Sequence, residues 1–152
     1  MGLRRWLPRL RSGPAWLLGL WLALLIPVAG AAQTGNQAGL VVRFGEDRVE
    51  TYCVSFEEAE ITGRELMERA GLALEFEEVG MGASVCRVED VGCGSGNCFC
   101  QCQGGTCEYW SYWHLRDGEW RYAASGASIT QVAHGEVQGW SWGPGSVSEA
   151  IA

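Results

Sequence analysis

The chain has 152 residues, 47% of them hydrophobic, which is one domain's length and too apolar for a disordered chain. All 11 basic residues are Arg, so chemistry that needs a lysine, such as a Schiff base or a P-loop, is excluded. The formal charge is −7, but Arg4, Arg5, Arg9 and Arg11 precede the first apolar run; beyond them seven Arg face 18 acidic residues, a surface that repels phosphate backbones and disfavours nucleic acid as a partner.

The Arg-rich start runs into "AWLLGLWLALLIPVAGAA", broken by Pro27 and closed by Ala29-x-Ala31. This layout predicts a secretory signal peptide over residues 1–31, cut after Ala31. The alternative is an uncleaved N-terminal membrane anchor, since about 18 apolar residues reach across a bilayer. No Cys sits at the cleavage point, which argues against a lipoprotein. Either reading places the rest of the chain outside the cytoplasm, secreted or in the cell envelope, where disulfides persist. All seven cysteines, Cys53, Cys86, Cys93, Cys98, Cys100, Cys102 and Cys107, lie there and are disulfide candidates. Their spacing fixes neither the connectivity nor which thiol is left over. Cys98, Cys100 and Cys102 alternate with Phe99 and Gln101, so in an extended chain they lie about 6.6 Å apart on one face. That is near the upper limit for a bridge, so each is expected to pair outside the triplet.

Residues 32–38 are small and polar and read as a flexible lead-in to a domain over 39–145. "LVVRF" (40–44) and "VETYCVSF" (49–56) flank the turn "GEDR" and predict a hairpin, with Tyr52, Val54 and Phe56 on one face and Cys53 on the other. Thr62 and Glu65 form a capping box, Ile61 and Leu66 a hydrophobic staple, and Gly71 a stop, which together predict a short helix. Its narrow stripe of Leu66, Met67 and Ala70 should lie on a sheet, with Met67 a core residue. "LALEFEEV" and "ASVCRVEDV" are two further strands around "GMG", and the Cys- and Gly-rich loop follows from about Gly92 to Cys107. "YWSYWHL" and "EWRYAA" flank "RDG", "GEVQGWSWG" closes the domain, and 146–152 is a tail. Two strands, one helix and about five more strands predict an α+β domain with a mostly antiparallel sheet.

"GCGSGN" lacks a following helix and the "GK[ST]" ending, so it reads as turns between crosslinks rather than a phosphate loop. "CFCQC" has one-residue gaps where zinc sites use two, and the two-residue redox spacing is absent, so no metal is assigned. Neither a nucleophile elbow nor a metalloprotease motif is present, and the chain is not read as an enzyme. The aromatic strands are the strongest functional signal. Trp110, Tyr112 and His114 share one face of a strand, with Tyr109, Ser111, Trp113 and Leu115 on the other, and Trp140 and Trp142 alternate likewise. One face must build the core; the other is then either covered, by the Cys-rich loop, or a platform for a flat or apolar ligand. His114 reads as a polar strand residue or as a ligand-facing one.

The segment Leu40–Gly145 resembles the small domain related to the C-terminal part of transcobalamin and intrinsic factor. The resemblance lies in the opening hairpin, in "TGRELMERAGL", and in "YWSYWHLRDGEWRYAASGAS" followed by "VAHGEVQGWSWG". It implies a β-grasp-like fold in a secreted or surface-attached bacterial module. In the vertebrate carriers the related domain closes over cobalamin held by a separate helical domain, which has no counterpart in this segment, and the Cys-rich insertion departs from the vertebrate pattern. The expectation is therefore an exported, non-catalytic module for a corrinoid or another flat cofactor, beside a membrane importer, with no cofactor required. The ligand candidates are Trp110, Tyr112, His114, Trp140 and Trp142. The alternative is a structural or protein-interaction domain of the cell envelope.

Overall fold

The computed structural model describes residues 35–145. The expected signal peptide, residues 32–34 and the tail lie outside the described residues. β1 (Asn36–Arg43) and β2 (Val49–Phe56) form the predicted antiparallel hairpin. β1 begins at Asn36, because Gln37 and Ala38 pair with Ser55 and Val54; residues 36–38 are strand and not a flexible lead-in. The alternation in β2 is as read: Val54 and Phe56 are buried and Cys53 is exposed.

β3 (Glu60–Thr62) leads directly into α1 (Gly63–Arg69). The Thr62 hydroxyl accepts from the Glu65 amide, and the Glu65 carboxylate accepts from the Thr62 amide at 2.7 Å, completing the predicted box. Two otherwise orphaned helix-end donors are thereby satisfied. Leu66 and Met67 are fully buried. The chain leaves through Gly71 at φ +81°, a conformation that costs glycine nothing.

β4 (Leu74–Val79), β5 (Gly82–Val88) and the two-residue β6 (Val91–Gly92) make a three-stranded antiparallel sheet. β7 (Tyr109–Arg116) and β8 (Glu119–Tyr122) are the aromatic hairpin, β9 (Gln131–Ala133) pairs with β3, and β10 (Val137–Gly143) ends the domain. Seven strands follow the helix instead of about five; β6 and β9 are too short to leave a pattern in sequence.

The main sheet has five strands in the order β2-β1-β10-β7-β8, with β1 and β10 parallel and the other neighbours antiparallel. The domain is thus mostly β-sheet with one short helix. Its core joins Leu40, Val42, Val54 and Phe56 of the hairpin to Leu66 and Met67 of α1, Val85 and Val88 of β5, and Trp110, Tyr112 and Trp140.

Candidate functional site

The β7–β10 register sets Tyr112 opposite Trp140 and Trp110 opposite Trp142. Tyr112 and Trp140 stack face to face, centroids 4.2 Å apart and planes 5° from parallel. Trp110 meets Phe44 edge-on at 5.5 Å, and its indole N–H donates to the Val91 carbonyl at 3.2 Å. The Tyr112 hydroxyl donates to the Gln138 side chain, and α1 begins so close above it that a Cβ on Gly63 would collide with the phenol oxygen. Burial pushes the Tyr112 hydroxyl pKa upward, and Tyr112 stays protonated. The face read as a ligand platform is therefore mostly core: Trp110, Tyr112 and Trp140 are 5%, 5% and 2% exposed. Val91 of β6 packs over it at the Trp110 indole, and Gly63 at the start of α1 packs over it at the Tyr112 hydroxyl.

A cleft of about 220 Å³ remains beside these three rings. Trp110, Tyr112 and Trp140 line its depth, Tyr109, Tyr122 and Ala123 form one wall, the β4–β5 turn with Val79 and Met81 another, and Phe99 reaches in from the Cys-rich loop. No lining residue carries a formal charge. The rim is apolar and wet: Met81 is 68% exposed, Tyr122 53%, Phe99 49% and Val79 45%. Phe99 lies 5.7 Å from the Tyr109 ring, and the Tyr109 and Tyr122 hydroxyls are 3.5 Å apart. Burial, with the Tyr109 contact adding to it, pushes the Tyr122 pKa up to about 12.

Disulfides fix that wall. Cys86 pairs with Cys98, Cys93 with Cys100, and Cys102 with Cys107, so each cysteine of the triplet does pair outside it, and Cys53 is the free thiol. Phe99 sits between two bridged positions, one tied to β5 and one to the residue after β6. Such bridges belong to an oxidising, extracytoplasmic setting. Among the described residues no helix is long and apolar enough to cross a membrane. Glu77, Cys86 and Cys98 bring donor atoms within 4.8 Å of one another, but both sulfurs are bridged and offer no thiolate to a cation.

The other two ligand candidates lie elsewhere. His114 packs against Tyr112 with ring centroids 4.9 Å apart and planes tilted by 44°, half-buried and outside the cleft; burial first, then Arg116, lowers its pKa, with Glu136 opposing. Trp142 borders a separate polar depression with Arg43, Glu46 and Glu108. Sequence reasoning missed Val79, Met81, Phe99 and Tyr122. Phe99 did leave a signal, being the one large apolar residue in a loop of Cys, Gly and polar residues.

The SCO2322-like domain family matches residues 103–151 of the chain, from the last bridge of the loop through the aromatic strands. No curated protein sequence matches the chain. Among solved structures, a Ruminococcus gnavus ATCC 29149 protein provisionally described as metal binding is similar with a TM-score of 0.55 and 14% identity, over 73% of this chain and 99% of that one. Haptocorrin in complex with Cbi is similar with a TM-score of 0.47 and 16% identity, over 73% of this chain and 26% of that one. At 14% identity the first of these likenesses concerns the fold alone.

Proposed function

We propose that the domain is an extracytoplasmic, non-catalytic module that binds a neutral, apolar ligand group in the cleft between the β4–β5 turn, the Cys-rich loop and the β7–β8 hairpin. One observation carries this: an uncharged cleft ringed by exposed Met81, Phe99 and Tyr122 on a chain rich in acidic residues. A contiguous exposed apolar rim on a small domain marks a binding surface. The lining offers hydroxyls but no His, Asp or Glu to activate them, which supports a binding role over hydrolysis. The parallel β1–β10 pair at the centre of the sheet, after a hairpin and a helix, supports the β-grasp-like reading.

Size narrows the ligand. A cavity of about 150 Å³ holds a benzene ring, and sites that enclose whole ligands run from about 300 Å³ upward. This cleft fits a group of one or two rings, or the edge of a larger flat molecule. A corrinoid fits only as a ligand capped at its edge, and His114 stands outside the cleft and offers no metal contact there. The importer partner rests on the family resemblance alone. The same dimensions suit one apolar side chain of a partner protein, which favours the interaction-domain reading as second choice.

Trp110 and Trp140 make the test direct, since a ligand in the cleft shifts their indole N–H signals in the NMR spectrum of the nitrogen-labelled protein, where unlabelled indole is silent. Titration with indole as a neutral two-ring probe, and with cobalamin followed through its corrin bands, should show saturable changes. Phe99→Ala and Tyr122→Ala should each weaken binding by roughly tenfold, the worth of one lost ring contact. No spectral change with either probe at millimolar concentration would remove the small-ligand reading, and a response to indole without cobalamin would remove the corrinoid.

A further inference from the structure

β2 is an edge strand: among the described residues only β1 pairs with it. The Phe44 amide donates to the Arg48 carbonyl at 2.8 Å, which marks 44 and 48 as a hydrogen-bonded pair. By the alternation of an antiparallel ladder, the N–H and C=O groups of Val49, Thr51, Cys53 and Ser55 then point away from β1 to the open side. All four residues are exposed.

Proteins ordinarily blunt an open edge with charge, proline or a very short strand. The opposite edge obeys: β8 has four residues, Glu119 and Arg121 among them. β2 has eight, and from Thr51 to Phe56 it carries no charge, no Pro and no Gly. Segments of that composition pair with their own copies. We propose that β2 is a dimer seam, pairing antiparallel with β2 of a second copy about a twofold axis at Cys53, so that the two five-stranded sheets become one.

Charge selects the register. Centred on Cys53, the pairing sets Arg48 of each copy toward Glu58 of the other, beyond the strand end. Centred on Tyr52, it sets Asp47 against Glu57 and Glu46 against Glu58; centred on Val54, it sets Glu50 against Glu58 nearest the strand end and Arg48 against Glu60 only farther out. Like charges directly opposed destabilise a strand pair; the Cys53 centre also faces Glu46 with Glu60, but farther beyond the strand ends, and it is the centre whose nearest facing charges are opposite. Arg48 is exposed and lies 3.6 Å over the Phe44 ring, with contacts of 3.6 Å to Glu50 and 3.5 Å to Asp90, and Glu58 pairs with Arg69 at 2.8 Å, so the new contact adds to these pairs and does not replace them. A hydrogen-bonded antiparallel pair holds its Cα atoms about 5.5 Å apart, within disulfide range. A small-molecule disulfide can therefore oxidise the two facing Cys53 thiols to a bridge, leaving as two thiols itself. The dimer does not depend on that bond.

Sedimentation velocity on the full chain tests this. A dimer is expected with and without reductant, and Cys53→Ser should retain it. Cys53→Asp, which places two carboxylates on the axis, should raise the dissociation constant by about tenfold or more. Thr51→Pro removes an amide that β1 does not use and should give monomers with an unchanged circular dichroism spectrum. Oxidised glutathione should convert the wild type to a covalent dimer whose linked peptide is Cys53 to Cys53. A wild type that stays monomeric at high micromolar concentration, a dimer indifferent to both Cys53→Asp and Thr51→Pro, or a covalent dimer bridged through another cysteine would overturn the proposal.

Discussion

Removing the Cys86–Cys98 bridge by Cys86→Ala with Cys98→Ala should be the most damaging of the three possible bridge deletions. A crosslink stabilises mainly by shrinking the unfolded ensemble, and its worth grows with the logarithm of the loop it closes. With sequence separations of 12, 7 and 5, the bridges Cys86–Cys98, Cys93–Cys100 and Cys102–Cys107 are worth about 2.8, 2.3 and 2 kcal/mol. Cys86 and Cys98 are also buried, at 0% and 2% exposure, so their replacement leaves a void that adds about 1 kcal/mol. The expected loss is about 3 to 4 kcal/mol, against about 2 for the exposed Cys102–Cys107 loop. Urea unfolding followed by tryptophan fluorescence measures it: at a typical slope of about 1.5 kcal/mol/M the midpoint should fall by about 2 M or more. The reasoning fails if deleting Cys102–Cys107 costs as much as deleting Cys86–Cys98, or if the latter costs under about 1 kcal/mol.

Thr62→Ala removes one half of the capping box and should cost about 1 kcal/mol in the same urea experiment. Gly92→Ala should cost about 3 kcal/mol or more, because a Cβ at φ +120° would collide with the Cys86 carbonyl and lie 2.9 Å from the Trp110 indole nitrogen. Gly118→Ala, at φ +80° with open space around it, should cost only about 1 kcal/mol, which separates crowding from backbone strain. The lowered His114 pKa means the folded state binds its proton less readily than the unfolded chain does. Stability should therefore fall as pH drops through the ordinary histidine range and level off below the folded value. Histidine NMR titration locates the midpoint, and a midpoint at or above the ordinary value would contradict the burial argument.

Local features were legible in sequence and long-range ones were not. The box between Thr62 and Glu65 spans three residues, so its partners are visible in the chain itself. The first hairpin and the aromatic hairpin were readable for the same reason, each being two patterned runs around a turn signal. β3 and β9 are three residues each and exist because Ile61 finds Val132. No local pattern announces that pairing, nor the parallel match of β1 with β10. Period-two alternation correctly grouped Trp110 with Tyr112 and placed Cys53 opposite Val54. It could not say what would cover either face: β6 and α1 arrive over Trp110 and Tyr112 from elsewhere, and Ser111 and Trp113 on the opposite face are buried as well. Three of the five ligand candidates consequently line the depth of the cleft, while Phe99 and Met81, which form its rim, lie in loops where alternation says nothing.

The bridges interlock in an order that guards the loop against nicking. Cys93 lies inside the span closed by Cys86 and Cys98, and Cys98 lies inside the span closed by Cys93 and Cys100. A cut anywhere in the exposed stretch Gly94–Asn97 leaves Cys86 and Cys93 on one fragment and Cys98 and Cys100 on the other, joined twice. A cut between Gln103 and Thr106 is spanned by the third bridge. The loop that carries Phe99 can thus be nicked at its most accessible points and still hold its two ends, and the cleft wall, in place.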